Sequence, residues 1–304
     1  MPDQKCIHCH KCGEERESRS VPELPEVQTI VDHLNRQPIV GGTVTAVRVN
    51  WPKTVAQPSV EQFRATLTGQ TIRKFSRRGK FIVCELSAGL TLLIHLRMSG
   101  RLNWVARNAA RNKHEHVILE ISHENELRFQ DTRKFGRMFL TEAPQAILDR
   151  LGPEPLSAGF TGKHLQTMLK HTRRQIKPLL LDQRFLAGLG NIYVDEALWA
   201  AGIHPLRISS SLSEKDATTL HRAIRQVLRK GIRNMGTSLG KGQGNFTSVN
   251  NRPGRNAERL NVFRQVGKAC PRCGTTIIRI VVAQRSSHVC IKCQPFTGTA
   301  WKTR

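Results

Sequence analysis

The chain has 304 residues, with 48 lysines and arginines against 23 acidic residues, for a formal net charge of +25. That length buries a core in two domains with room for a small module, and no run of eighteen apolar residues or apolar N-terminal stretch marks a membrane span or a signal peptide, so the chain reads as cytoplasmic. Positive charge is spread along the whole chain, which makes nucleic acid the expected partner ahead of a ribosome-like or membrane-surface role.

The first twenty residues are dense in charge and carry "CIHCHKC", with Cys6, His8, Cys9, His10 and Cys12. All of these donors fall within seven residues, too short a span to wrap a metal ion with supporting contacts. From Pro25 to Gln37 the apolar residues Val27, Ile30, Val31 and Leu34 recur at helical spacing, with proline tolerated in the first turn. Seven segments rich in β-branched residues follow: "TVTAVRVN", "TIRKF", "KFIVCEL", "LTLLIHL", "HVILEIS", "LRFQ" and "GRMFL". The first half is therefore a β-sandwich or barrel behind a helix, and Cys84, inside an apolar run, is a core residue.

Prolines and small residues between Glu142 and Gly159 place a domain boundary near residue 150. Beyond it, "IKPLLLDQRFLAGLGNIYVDEALWAAGI" reads as two helices joined by a turn containing Gly188 and Gly190, and such a turn either packs or offers N–H groups to a phosphate. "SEKDATTLHRAIRQVLRKG" is a helix opened by a Ser213/Asp216 capping box. Residues 240–255 are rich in Gly, Asn and Arg with only Phe246 and Val249 apolar, and read as a mobile linker or as a loop that orders on a ligand.

Near the C-terminus Cys270 and Cys273 precede Cys290 and Cys293 by sixteen residues. Two CxxC pairs around a hairpin close a tetrahedron about one Zn²⁺, and four thiolates leave no open position, so the zinc is structural. Arg279 and Arg285 lie in the hairpin, suited to a phosphate backbone.

In one colinear order from about Pro22 to Gln294 stand "PELPEV", "RRGKF", "HLRMSG", "DTRKFG", "LGPEPL", "IKPLLLDQ", "GLGNIY" and the four-cysteine ribbon ending in "CIKCQ". This series resembles the bacterial formamidopyrimidine-DNA glycosylase family. The resemblance implies an α+β multidomain fold: an N-terminal β-sandwich with flanking helices, a helical helix-two-turns-helix domain and a C-terminal zinc ribbon. On this chain those become residues 22–150, 151–258 and 259–296, with 1–21 as an extension outside the mature protein and 297–304 as a tail. It also implies a monomer acting on double-stranded DNA that carries oxidised bases or abasic sites, with the damaged nucleotide turned out of the stack.

By the same resemblance Pro22 is an amine nucleophile toward sugar C1′ and Glu23 its acid-base partner. Glu26 is the second carboxylate of the motif, or simply an acid in the first turn of a helix. Lys80 is linked to base excision, and Arg285 to phosphate binding and the second elimination. Met98, Arg133 and Phe135 fill the gap left by the extruded nucleotide, with Arg133 toward the orphaned base. His114, Arg173, Lys177 and Asn191 match or neighbour phosphate-binding positions. Gln28, Arg97, Thr132 and Lys134 depart from the usual pattern, and Arg97 and Thr132 bear on lesion or opposite-base preference. "PELPEV" and "GPEPL" favour the oxidised-purine branch over the endonuclease VIII-like branch.

The reaction expected is base release followed by β- and δ-elimination. It requires a free amine on Pro22, which a retained Val21 would acylate; the chain would then be a binder of damaged DNA without chemistry. Val21 is the expected translation start, because a GUG codon reads as valine internally but initiates with methionine. A zinc-ribbon DNA binder without lesion preference is the third reading.

Overall fold

The computed structural model describes residues 21–122, 124–239, 246–249 and 251–296. The "CIHCHKC" segment, the tail from 297 and residues 240–245 and 250 of the glycine-rich loop lie outside the described residues.

Helix α1 (Leu24–Leu34) starts at an N-cap Glu23 whose side chain and that of Glu26 form a reciprocal capping box, and Val27, Ile30, Val31 and Leu34 are buried on its inner face. Strands β1 (Val44–Val49), β2 (Val55–Gln57), β3 (Ile72–Arg78), β4 (Phe81–Leu86), β5 (Thr91–His95), β6 (Gly100–Ala106), β7 (Glu115–Ile121), β8 (Asn125–Asp131) and β9 (Arg137–Thr141) follow, with helix α2 (Val60–Leu67) between β2 and β3. They form two sheets, one ordered β1-β7-β8-β6 and one ordered β2-β9-β5-β4-β3. One continuous core joins them, including Phe75, Ile82, Ile94, Val117, Phe129 and Met138. This is the expected sandwich. Helix α2 and strands β2 and β6 were not apparent in the sequence, since α2 buries only Phe63 and Leu67 and "GRLNWVA" mixes polar and apolar residues without clean alternation.

After a short α3 (Gln145–Leu148), the second domain holds α4 (Gly162–Lys170), α5 (Ile176–Leu181), α6 (Asn191–Ala201) and α7 (Glu214–Arg233). Ser213 accepts the N–H of Asp216 at 3.1 Å and Asp216 accepts that of Ser213 at 3.0 Å, the anticipated capping box. Leu24 belongs to this helical core and not to the sandwich, and its N–H donates to the Gly188 carbonyl at 2.9 Å. The start of α1 is thereby fastened to the turn between α5 and α6.

Strands β10 (Ile278–Val282) and β11 (Arg285–Val289) form the C-terminal hairpin. Phe246 and Val249 are 3% and 1% exposed and sit in the sandwich core. The linker reading therefore fails for residues 246–249: two apolar anchors are enough to tie this stretch down.

Candidate active site

The site is built where the N-terminus of α1 meets the N-terminus of α6. Glu23, 1% exposed, accepts the N–H of Gly190 at 2.7 Å, of Ile192 at 2.8 Å and of Tyr193 at 3.3 Å. These are donors that no turn of α6 uses, and the helix dipole favours negative charge beside them. A Cβ on Gly190 would lie 2.4 Å from the Glu23 Cδ, so only glycine admits the carboxylate. Burial lifts the Glu23 pKa above its ordinary value, while the Lys80 charge and the three N–H donors pull it back.

Glu26 is also buried. Its carboxylate accepts the Glu23 N–H at 2.8 Å, the Tyr193 hydroxyl at 2.8 Å and the Thr237 N–H at 2.7 Å. Burial and the neighbouring Glu23 charge raise its pKa to about 7.

A cavity of about 250 Å³ opens beside Glu23, lined by Val21, Lys80, Met98, Asn191, Gln284 and Arg285 among others. Lys80 follows the turn at Gly79, and Glu154 from the interdomain connector grips that turn: its carboxylate pairs with Arg77 at 2.9 Å and with Arg78 at 3.2 Å. Burial lowers the Lys80 pKa, and Glu23 and Glu26 oppose that effect. Pro22 is buried behind Val21, whose carbonyl makes its nitrogen an amide.

The loop of residues 131–136 stands on Asp131, which accepts the N–H groups of Arg133 at 3.1 Å and Gly136 at 2.7 Å and the hydroxyl of Ser99. Ser99 adjoins Met98, so one buried carboxylate fixes both loops. Phe135 is 46% exposed, with the Arg133 guanidinium 5.0 Å from its ring centroid. Phe135 is one of the few large apolar side chains left exposed among the described residues.

The four cysteine sulfurs lie within 4.8 Å of one another. A Zn²⁺ with bonds of about 2.3 Å to four sulfurs needs them roughly 3.8 Å apart, and the Cys270–Cys293 and Cys273–Cys290 pairs stand at 3.9 and 3.4 Å. The donor set fits one structural zinc, and the Trp199 indole N–H donates to the Cys270 sulfur at 3.4 Å, docking the ribbon on α6.

Comparison with known proteins agrees with this geometry. Residues 21–138 match the Formamidopyrimidine-DNA glycosylase N-terminal domain, 151–241 the Formamidopyrimidine-DNA glycosylase H2TH domain, and 267–295 the zinc finger found in FPG and IleRS. The formamidopyrimidine-DNA glycosylase of Protochlamydia amoebophila is 43% identical over 274 residues, covering 90% of this chain and 99% of that protein; the one from Roseiflexus is 44% identical over 277, covering 90% and 100%. The chain belongs to the formamidopyrimidine-DNA glycosylase family. Among solved structures, the wild-type Lactococcus lactis Fpg with DNA containing N7-benzyl-Fapy-dG superposes at a TM-score of 0.83 and 36% identity, over 90% of this chain and 100% of that one. The complex of the same enzyme with abasic-site DNA superposes equally well.

Within this glycosylase fold, Glu23, Lys80, Met98, Asn191 and Arg285 converge on one cavity, and Pro22 is buried between its lining residues Val21 and Glu23. Arg133 and Phe135 stand on the neighbouring loop, Arg173 is exposed ahead of α5, and His114 is half-buried beside Asp131, whose N–H its carbonyl accepts at 2.9 Å. Lys177 is placed differently from the others. Its side chain is fully buried, and its ammonium donates to Asp195 at 2.6 Å and to the Ser286 carbonyl at 2.7 Å. Asp195 also accepts the His288 N–H at 3.0 Å, so Lys177 ties α5, α6 and the ribbon together from inside. Sequence reasoning left Tyr193, Thr237, Asp131 and Glu154 without roles. Glu154, Asp131 and Tyr193 stand inside recognised motifs, but that they would meet Arg77, Ser99 and Glu26 is a tertiary fact.

Proposed function

We propose that the chain, with Pro22 as its N-terminal residue, is a bifunctional glycosylase and lyase that excises oxidised purines, 8-oxoguanine and formamidopyrimidines, from duplex DNA. DNA glycosylase activity is the property of the family, and the L. lactis relative is seen with Fapy-dG and abasic-site DNA. The observation that carries the proposal is Glu23. A buried carboxylate with a raised pKa, pinned at a helix N-terminus directly after Pro22 and lining a cavity shared with Lys80, supports a role in proton exchange beside the proline nitrogen.

The secondary amine of Pro22 forms a bond to sugar C1′ as the glycosidic bond breaks, the damaged base leaving with the bonding pair and taking a proton from water. Glu23 takes the proton that the amine loses and returns it to the ring oxygen as the sugar opens, leaving an iminium between Pro22 and C1′. Withdrawal of a C2′ proton then expels the 3′ phosphate, and a second elimination expels the 5′ phosphate, leaving a one-nucleotide gap. In this reading Arg285 and Asn191 hold the flanking phosphates, while Met98, Phe135 and Arg133 occupy the space left in the duplex. The zinc holds the ribbon that carries Arg285.

A form that keeps Val21 has the Pro22 lone pair delocalised into the Val21 carbonyl and binds damaged DNA without cutting it. Reduction with borohydride during reaction with 8-oxoguanine duplex distinguishes the two: a covalent adduct supports the enzyme, and none with free Pro22 rejects it.

A further inference from the structure

Helix α7 presents a face that the proposed reaction leaves unused. Its inner residues Ala217, Leu220, Ala223, Ile224, Leu228 and Gly231 are buried, Gly231 lying against Tyr193 of α6. On the outer face Arg222, Arg225, Arg229 and Arg233 follow one another at steps of three or four residues and line an open groove of about 600 Å³ with Thr218, His221 and Gln226. From Arg222 to Arg233 the row is about 16 Å long, at 1.5 Å per residue.

Between Ala217 and Arg233 the helix has no acidic residue. None of the four arginines is in an ion pair among the described residues. Arg225 is fixed, donating to the carbonyls of Pro155 and Ser157 in the interdomain connector at 2.9 and 2.8 Å; Arg222, Arg229 and Arg233 are exposed. The row shares no residue with the cavity beside Glu23, and it looks outward from the side of α7 opposite α6.

We infer that this arginine row is a second nucleic-acid surface, which holds the sugar-phosphate backbone of another DNA segment while the lesion occupies the cavity. Unpaired guanidinium groups in a line are suited to a chain of phosphates. An acidic protein partner is the weaker fit, because no large apolar side chain is exposed on α7 to anchor a protein interface. Without base-reading geometry the binding is independent of sequence, and it allows the chain to pass between DNA segments without first letting go.

The test uses the full chain saturated with an unlabelled duplex containing a stable abasic analogue, to which a fluorescein-labelled undamaged duplex is titrated. One labelled duplex per chain should bind. The triple variant Arg222→Gln, Arg229→Gln, Arg233→Gln should weaken that second event at least tenfold and lower its salt slope by about 2 to 3, near 0.9 for each phosphate no longer neutralised. Lesion cleavage by the variant should stay within twofold of wild type, which separates this surface from the cavity chemistry. A matching triple Arg→Lys variant should retain the second duplex. Absence of a second duplex on the saturated wild type, or equal binding by the Gln variant, would overturn the inference. So would polyglutamate, but not duplex, competing for the row.

Discussion

The Glu23 carboxylate and the Ile192 N–H are 2.8 Å apart although 169 residues separate them in sequence. The hydrogen bond joins the residue after Pro22 to the helical domain, so the geometry of the site depends on a turn far along the chain. A methyl group at position 190 cannot be accommodated beside this carboxylate. Gly190→Ala should therefore lower the rate of strand cleavage by about a hundredfold, the scale of an ångström of misplacement, while affinity for abasic-analogue duplex changes by less than fivefold. Single-turnover cleavage and a gel shift read the two quantities separately.

The Glu26 carboxyl gives a pH signature in stability. Its pKa is about 7 in the folded chain against an ordinary 4.5, so between these values the folded chain holds a proton that the unfolded chain has released. Its contribution is complete below about 4.5 and is lost as pH rises through about 7, an effect on the order of 3 kcal/mol. Glu26→Gln should flatten the fall in urea-unfolding free energy between pH 5 and pH 7. An unchanged slope in that variant would assign the effect to another group.

Lys177 separates two roles by salt. Removing the cation leaves Asp195 buried with His288 as its remaining side-chain partner, a loss of about 3 kcal/mol or more for a broken buried pair. Lys177→Met should lower the melting temperature and leave the salt slope of DNA binding unchanged. A phosphate-binding role would instead reduce that slope by about 1.

Chelation of zinc should unfold the ribbon, since structural sites of this kind supply the folding energy of their modules. One zinc per chain is expected by atomic absorption. Cys290→Ser should lose the metal and at least tenfold in affinity for lesion duplex, because Arg285 and the Ser286 carbonyl that binds Lys177 and Asn191 are both carried by the hairpin.

Much of this molecule is legible in its sequence because local chemistry and tertiary need coincide. The capping residues of α1 and α7, the strand pattern of the sandwich and the cysteine spacing each follow from a rule of a few residues. The site is legible only in part. That Glu23 would cap α6, that Asp131 would reach Ser99 beside Met98, and that Lys177 would turn inward depend on partners 18 to 170 residues away, which no local pattern encodes. Phe246 and Val249 are a similar case: two apolar residues in a polar stretch carry no period, yet both are buried in the sandwich core.

A proline nitrogen that performs the chemistry must be free of an acyl group. Two forms of the chain should be prepared, one with Pro22 as its first residue and one retaining Ser20 and Val21, and each reduced with borohydride during incubation with 8-oxoguanine duplex. A covalent protein–DNA adduct from the Pro22 form and none from the longer form is the expected result. Equal trapping by both, or none by the Pro22 form, would contradict it.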